Sequence, residues 1–469
     1  MGYKDAYRDW LSWCDDAEKK ELLLLKDEKE IEDRFYRDLE FGTAGLRGIM
    51  GAGSNRMNRY NVRKATKGFA DYLQDTYGKR CQDGVIIAYD SRNNSADFAA
   101  EAAHVLCAAG IPVKFFTEPE PIPVLSFSVR HFRAAGGIVI TASHNPKEYN
   151  GYKVYGPDGG QLVPRDANVL SRYVENISDL AHIPCTGSKE LLTRLGQDTV
   201  DLFIEEIYKQ STLKGNVGNL KIVYTPIHGS GNIPVRKILK RGGFTDVHIV
   251  ESQEKPDGNF PTVSAPNPEN QDALQLGIKL AGEIGADPDS DRIGAAVLHN
   301  GKYLLISGSR MGALLVNYLL MMKGKELTGK STIITTIVTG GIGKDIAGKY
   351  GVQVEETLTG FKYIGEKMSQ YEKDGSHEFI FGYEESYGYL AGTHARDKDA
   401  VVTALLICEM ADYFKKQGKT LIDVLAELSK EYGYCLDKLS SYTLAGKKGL
   451  AKIADIMAAL RVKDVQEIL

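Results

Sequence analysis

Short runs of consecutive apolar residues, each closed by a polar or glycine-bearing turn, recur along the chain. Val85-Ile86-Ile87-Ala88-Tyr89 stops at Asp90-Ser91-Arg92, Val113-Lys114-Phe115-Phe116 follows, and Gly136-Gly137-Ile138-Val139-Ile140 stops at Thr141-Ala142-Ser143-His144-Asn145-Pro146. Runs this short, rich in Ile and Val, read as buried strands. The intervening stretches read as helices: one with alanines and Phe98 through Ala109-Gly110, and one from Pro123 to Arg133. Val62 to Tyr77 reads as an amphipathic helix ahead of the first strand. This βαβ rhythm predicts a parallel or mostly parallel sheet with functional loops at the strand C-termini. Ser143 lies at such an end, and Asn145-Pro146 forces a turn there because the residue before proline is pushed out of the helical region.

The rest of the chain repeats the alternation. Residues 1–40 read as charged helix with a small apolar face from Trp10, Leu11 and Trp13, and Tyr149 to Gly160 reads as a hairpin stretch. Lys214-Gly215-Asn216-Val217-Gly218 reads as a linker, followed by a strand from Leu220 to Tyr224 and a second α/β unit. Within it a helical stretch, Asp272 to Ile284, runs through Gly285-Ala286 into Asp287, so no strand is expected before that acidic loop. A third unit opens near Ser307–Gly312, with a β-branched strand from Thr332 to Val338 and a helix from Ala400 to Phe414. Leu358–Lys362 and Phe381–Gly388 read as polar loops. The expected organisation is α/β, with three consecutive domains at 1–212, 213–308 and 309–469.

Composition narrows the class. With 469 residues the chain holds roughly three domains of ~100–200 residues each. Its 43% apolar and 26% charged content is ordinary for a soluble globular protein. A net charge of −4 without a basic block argues against nucleic acid or an anionic membrane as partner. No segment approaches the ~18–20 apolar residues of a membrane span, and the charged N-terminus lacks a signal-peptide core. Six scattered cysteines with no CxxC pair read as reduced thiols, so a cytoplasmic enzyme is expected.

Candidate chemistry sits in the loops. Phe41-Gly42-Thr43-Ala44-Gly45-Leu46-Arg47-Gly48 combines glycines, which allow close backbone approach, with an arginine suited to a phosphate or carboxylate. Asp287, Asp289 and Asp291 alternate in a proline-bearing loop, and three carboxylates so spaced can converge on one hard cation. An EF-hand is excluded, because Arg292 and Leu298 stand where it needs Gly and Glu. Three ligands with open positions suit Mg2+ holding a phosphate oxygen. Glu384 and Ser386 alternate with bulkier neighbours and can hydrogen-bond a polyol. Lys153 is placed to fold back towards Ser143, and a cation in Arg396-Asp397-Lys398-Asp399 suits an anionic substrate. Each motif alone also fits a plain reading: a polar turn, a connecting loop, a surface lysine or a solvated acidic loop.

Together, Phe-Gly-Thr-Ala-Gly-Leu-Arg-Gly, Thr-Ala-Ser-His-Asn-Pro, Asp-Pro-Asp-Ser-Asp-Arg and Gly-Tyr-Glu-Glu-Ser, in that order, resemble the motifs of the α-D-phosphohexomutase superfamily. The match is to its phosphoglucomutase/phosphomannomutase group and runs from about Tyr36 onward. The resemblance implies that Ser143 is carried as phosphoserine and that Asp287, Asp289 and Asp291 hold Mg2+, which also contacts the Ser143 phosphate. It implies that Arg292 is the metal-loop arginine and that Thr359, Gly360, Glu384 and Ser386 face the sugar. Arg47, His144, Lys153 and Lys398 fall on active-site cation positions, with Lys153 the candidate general base and His144 and Arg47 in support. The implied reaction interconverts the 1- and 6-phosphates of glucose, with mannose phosphates as further substrates. It runs through a glucose 1,6-bisphosphate intermediate, in a monomer or homodimer. A pentose-phosphate mutase, a hexose-bisphosphate synthase and an inactive phosphosugar-binding protein are the alternatives. The resemblance also leads one to expect a fourth, phosphate-binding domain with an Arg-Pro-Ser-Gly-Thr-like loop. No such motif occurs, and Arg461 to Leu469 falls about where that domain would begin, so the chain is expected to lack it.

Overall fold

The computed structural model describes residues 2–42, 45–280, 283–436, 442, 444 and 446–463. Thr43 and Ala44 of the glycine-arginine motif and residues 464–469 lie outside them. The chain separates into two units. The smaller takes in residues up to 39, 51–56 and those from 436 onward. Its helices are Tyr3–Trp13, Asp16–Leu23, Glu28–Phe35 and Gly446–Arg461. Trp10, Leu22 and Phe35 are buried there, and the Trp10 indole donates to Glu18 at 2.9 Å. The larger unit, 40–50 and 57–435, carries three sheets and every candidate site residue.

The first sheet comprises β1 (Leu46–Ile49), β2 (Val85–Tyr89), β3 (Val113–Phe116), β4 (Gly136–Ile140), β5 (Tyr149–Tyr155) and β6 (Leu192–Leu195), ordered β1-β5-β4-β2-β3-β6. Pairing is parallel from β4 through β2 and β3 to β6, and antiparallel where β5 meets β4 and β1. The reason is loop length. Only residues 141–148 join β4 to β5, too few for the crossover helix that a parallel partner needs. Arg47 therefore sits on edge strand β1, not in a loop as the glycine count suggested.

The second sheet holds β7 (Ile222–Thr225), β8 (Val247–Ile249), β9 (Glu283–Ala286), β10 (Ile293–His299) and β11 (Lys302–Ile306), ordered β11-β10-β9-β7-β8. Strand β9 corrects the sequence reading. The helix ends at Leu280, and four residues before Asp287 pair with β7 in parallel and with β10 antiparallel. The metal-loop candidate is thus aimed by a sheet after all. Two flanking strands offer Glu283–Ala286 backbone partners, which overrides its weak strand propensity.

The third sheet holds β12 (Ser331–Thr336), β13 (Gln353–Thr357), β14 (Glu378–Glu384) and β15 (Gly388–Ala391), ordered β13-β12-β14-β15 with only the last pair antiparallel. Two expected loops are shorter than read. Phe361 and Lys362 already belong to helix Phe361–Asp374, and Phe381 to Glu384 are the end of β14, leaving 385–387 as the turn. Helix Ala400–Lys415 is buried along most of its length. Its Ile407 and Leu405 share one hydrophobic core with Val139, Ile238 and Phe381, residues of all three α/β domains. Each sheet is therefore mixed, parallel within and antiparallel at one side, and the connections after β4, β9 and β14 carry Ser143, Asp287 to Asp291 and Ser386.

Candidate active site

Ser143 stands three residues beyond the end of β4 and is 3% exposed. Its φ of 52° is left-handed, a conformation that costs a non-glycine residue energy and persists where surrounding bonds enforce it. Those bonds are present. The Arg92 guanidinium donates to the carbonyls of Ser143, Asn145, Pro146 and Tyr149 at 2.5 to 3.1 Å. The Ser143 amide donates to Thr141 Oγ1 at 2.8 Å. Thr141 Oγ1 in turn lies 2.7 Å from Asp90 Oδ2 and 3.0 Å from Asp289 Oδ2, joining the serine loop to the acidic loop. Ser143 Oγ donates to Asp287 Oδ2 at 2.9 Å and lies 3.2 Å from His144 Nδ1.

The acidic loop joins β9 to β10 and is held from three sides. Ile122 N–H donates to Asp289 O at 2.9 Å, Ser230 donates to Pro288 O through both N–H and Oγ, and Ala400 N–H donates to Ser290 O at 3.2 Å. Ser290, like Ser143, has a left-handed φ, here 51°. One ligand oxygen from each of Asp287, Asp289 and Asp291 falls within 4.8 Å of the others, and all three side chains are buried.

Three carboxylates that close do not all stay ionised unless cations offset them. Burial pushes Asp287 well above the ordinary carboxylate range, reinforced by Asp289 and Asp291. Burial also pushes Asp289 upward, but the Lys153 ammonium at 3.2 Å and the bond with Asp287 win and hold it below that range. Lys398 Nζ lies 3.0 Å from Asp291 Oδ2 and 3.3 Å from Asp397 Oδ1. These acids overcome the lysine's burial and keep its pKa high. The donor set fits a hard divalent cation: all ligand atoms are oxygen, and Asp289 Oδ1 and Asp291 Oδ1 are buried without a hydrogen-bond partner.

Other predicted residues distribute around this centre. Burial pushes the His144 imidazole down to about 3, with Arg292, Arg47 and Lys153 adding to the effect, so the ring is neutral near pH 7. Arg47 Nη1 donates to Asn145 Oδ1 at 3.1 Å on the serine loop. Arg292 Nη1 pairs with Glu269 Oε1 at 2.8 Å. Glu384 is buried, which raises its pKa, and its Oε1 accepts the Gly360 N–H at 2.8 Å, so two predicted sugar loops meet. Thr359 is exposed beside them, and Ser386 is half-buried in the β14–β15 turn. That turn is tied to the acidic loop, since Ile293 N–H donates to Tyr387 O at 3.1 Å. A Cβ at Gly388 would fall 2.1 Å from Lys398 Cδ, so glycine is needed for the lysine to pass.

The sequence marks Asp90-Ser91-Arg92 as a strand end without pointing to a role for it or for Thr141. The usable signal is present: Asp90 follows β2 just as Thr141, two residues before Ser143, follows β4, at neighbouring positions of one sheet.

Models of the phosphoglucomutase/phosphomannomutase α/β/α domains I, II and III match residues 38–181, 201–301 and 307–432. A phosphoglucomutase of Staphylococcus haemolyticus is 37% identical over 466 residues, covering 97% of this chain and 83% of that protein. One of Staphylococcus aureus is 36% identical over 471 residues, covering 98% and 84%. Among solved structures, one described as a putative phosphomannomutase from Thermus thermophilus superposes with a TM-score of 0.72 at 23% identity, over 87% of this chain and 89% of that one. The open form of the Paramecium phosphoglucomutase pp63/parafusin gives 0.64 at 19% identity, over 85% and 75%. These two likenesses concern the fold; the domain models and the staphylococcal relatives carry the assignment. The chain belongs to the phosphoglucomutase/phosphomannomutase family of phosphotransferring isomerases.

Proposed function

We propose that this chain interconverts glucose 1-phosphate and glucose 6-phosphate, exchanging a phosphoryl group between Ser143 and the sugar through a glucose 1,6-bisphosphate intermediate. The observation that carries the reading is Ser143 Oγ, buried and 2.9 Å from Asp287 Oδ2, on the rim of a three-carboxylate centre with unpartnered oxygens. The staphylococcal relatives bear the name of this activity over nearly the whole chain.

Asp287, Asp289 and Asp291, with the Ser143 oxygen or its phosphate, would hold Mg2+, whose role is to neutralise charge on the transferring phosphoryl group. The chain's own residues supply the rest. Arg92 and Thr141 hold the serine loop in its left-handed turn, so Ser143 Oγ does not have to find its position during the reaction. Lys153 is the candidate general base: in its neutral amine form, released from the ion pair with Asp289, it would take the proton of the sugar hydroxyl as the serine–phosphate bond breaks and the sugar–phosphate bond forms. His144 is too weakly basic for that task and orients Ser143 Oγ instead. Glu384, Ser386, Thr359 and Gly360 bind the sugar hydroxyls, while Arg47, Arg292 and Lys398 balance phosphate and carboxylate charge. Six scattered cysteines without a CxxC pair support a cytoplasmic setting. Among the described residues, no helix is long and apolar enough to cross a membrane.

The test supplies the chain with glucose 1-phosphate, Mg2+ and glucose 1,6-bisphosphate, and follows glucose 6-phosphate. Turnover, with one phosphate per chain by intact mass that is lost in Ser143→Ala, is the expected result. No turnover on any phosphosugar contradicts it.

A further inference from the structure

At the open ends of two neighbouring parallel strands, three large apolar side chains face solvent. Ile337 is 58% exposed, Val338 57% and Leu358 59%, although Ile333 and Ile334 on the same strand are buried. The register pairs Thr336 with Thr357, so Ile337 and Leu358 are the next residues of each strand, and the Ile337 N–H donates to Thr357 O at 3.0 Å. A single exposed apolar residue needs no explanation, but three on adjacent loops are a cluster that calls for one. Thr359 and Gly360 continue directly from Leu358, and the Gly360 N–H is bound to Glu384. Glu384 ends β14, on the other side of β12 from β13. With strands ~4.8 Å apart, the backbone at the end of β14 lies one to two strand spacings, about 5–10 Å, from the backbones at the ends of β12 and β13, a scale comparable to one hexose ring.

The turn that displays Ile337 and Val338 is fastened by Glu385, which the proposed sugar contacts do not use. Glu385 Oε2 accepts from Thr339 Oγ1 at 2.9 Å and lies 3.2 Å from Thr336 Oγ1; the two threonine hydroxyls are 2.7 Å apart. The Thr339 N–H also donates to Thr336 O at 3.1 Å, closing a β-turn over Ile337 and Val338. Glu385 itself is fixed from behind. A Cβ at Gly308 would fall 1.9 Å from the Glu385 carbonyl oxygen, so the helix starting there packs directly on its backbone.

We propose that Ile337, Val338 and Leu358 form an apolar wall for the C–H face of the hexose, and that Glu385 is the positioning residue that holds this wall in place. A hexose in its chair form presents hydroxyls at its edge and C–H groups on its faces, so it can offer its edge to Glu384 and a face to the wall. The inference rests on the phosphosugar reading above and adds to it which side of the sugar is recognised without hydrogen bonds. Contacts of this kind are made equally in the ground and transition states, so they act on KM rather than kcat.

Ile337→Ser and Leu358→Ser, assayed in the full chain with glucose 1-phosphate, are each expected to raise KM about fivefold while kcat stays within about twofold. Intact-mass occupancy of Ser143 phosphate stays unchanged, and so does the melting temperature, because both side chains are exposed. Glu385→Ala is expected to raise KM similarly, and Glu385→Gln, which keeps the acceptor oxygen, to restore it. An unchanged KM in both serine variants overturns the wall, as does a fall in kcat at constant KM. An equal loss in Glu385→Ala and Glu385→Gln overturns the role of Glu385. If the unaltered chain shows neither turnover nor phosphate on Ser143, the phosphosugar reading fails and this inference with it.

Discussion

The two halves of the site are built in opposite ways. Around Ser143 and the acidic loop nearly every group is buried and bonded. Arg92 holds four carbonyls, Thr141 bridges two carboxylates, and two residues sit in left-handed turns that their surroundings enforce. Around Glu384 the loops are short, Thr359 and Leu358 face solvent, and Glu384 is the buried group among them. The contrast follows from the chemistry each half would do. Phosphoryl transfer is catalysed by charge placed in advance, and moving a charge about an ångström costs about a hundredfold in rate. A sugar bound first by one phosphate end and then by the other needs a surface that tolerates two orientations.

The strongest way to break this comparison is at the acidic loop. Asp289→Asn removes a carboxylate that faces both Lys153 and Thr141, and kcat/KM is expected to fall by at least about a thousandfold, with a weaker Mg2+ dependence in a metal titration. Next comes the pH dependence of the buried half. Glu120, two residues before the Ile122 contact with Asp289, is pushed up to about 8, first by burial and then by Glu118, against lowering by Gln197 and Lys237. Between the ordinary carboxylate range and pH 8 the folded chain therefore keeps a proton that the unfolded chain has released. Its contribution to stability is full below about pH 4.5 and is lost as pH rises to about 8, by on the order of a few kcal/mol. Glu120→Gln should flatten that slope in denaturant midpoints measured from pH 5 to 9. Arg92→Lys is expected to lower kcat about 10- to 100-fold, because an ammonium cannot reach four carbonyls at once. The smallest effect belongs to the open half. Thr359→Ala should raise KM about two- to tenfold, the worth of one net hydrogen bond, and leave the melting temperature unchanged.

Much of this site is legible in the sequence, by two different signals. Ser143 and Glu384 stand in polar stretches after short apolar runs, whereas Asp287, Asp289 and Asp291 are marked by the alternation of three carboxylates in a proline-bearing loop. What was missed depends on contacts across the fold. Arg92 is an ordinary arginine until a turn more than fifty residues away presents four carbonyls to it. Strand β9 is not legible in the sequence because Glu283-Ile284-Gly285-Ala286 has little strand character of its own and follows a helix without a clear break. Its identity comes from pairing with β7 and β10. Arg47 reads as a loop residue for the converse reason: glycines on both sides suggest a turn, whereas β5 draws the segment into the sheet.

The central claim is that Ser143 is the phosphoryl carrier, held ready by the buried half of the site. Chase of labelled phosphate tests it most directly. The chain is loaded with glucose 1,6-bisphosphate labelled in its phosphates, freed of excess, and mixed with unlabelled glucose 1-phosphate and Mg2+. The account predicts one label per chain on the peptide containing Ser143, transferred to sugar phosphate at a rate no slower than turnover. Label on any other residue, or label on Ser143 that leaves more slowly than the enzyme turns over, would contradict it.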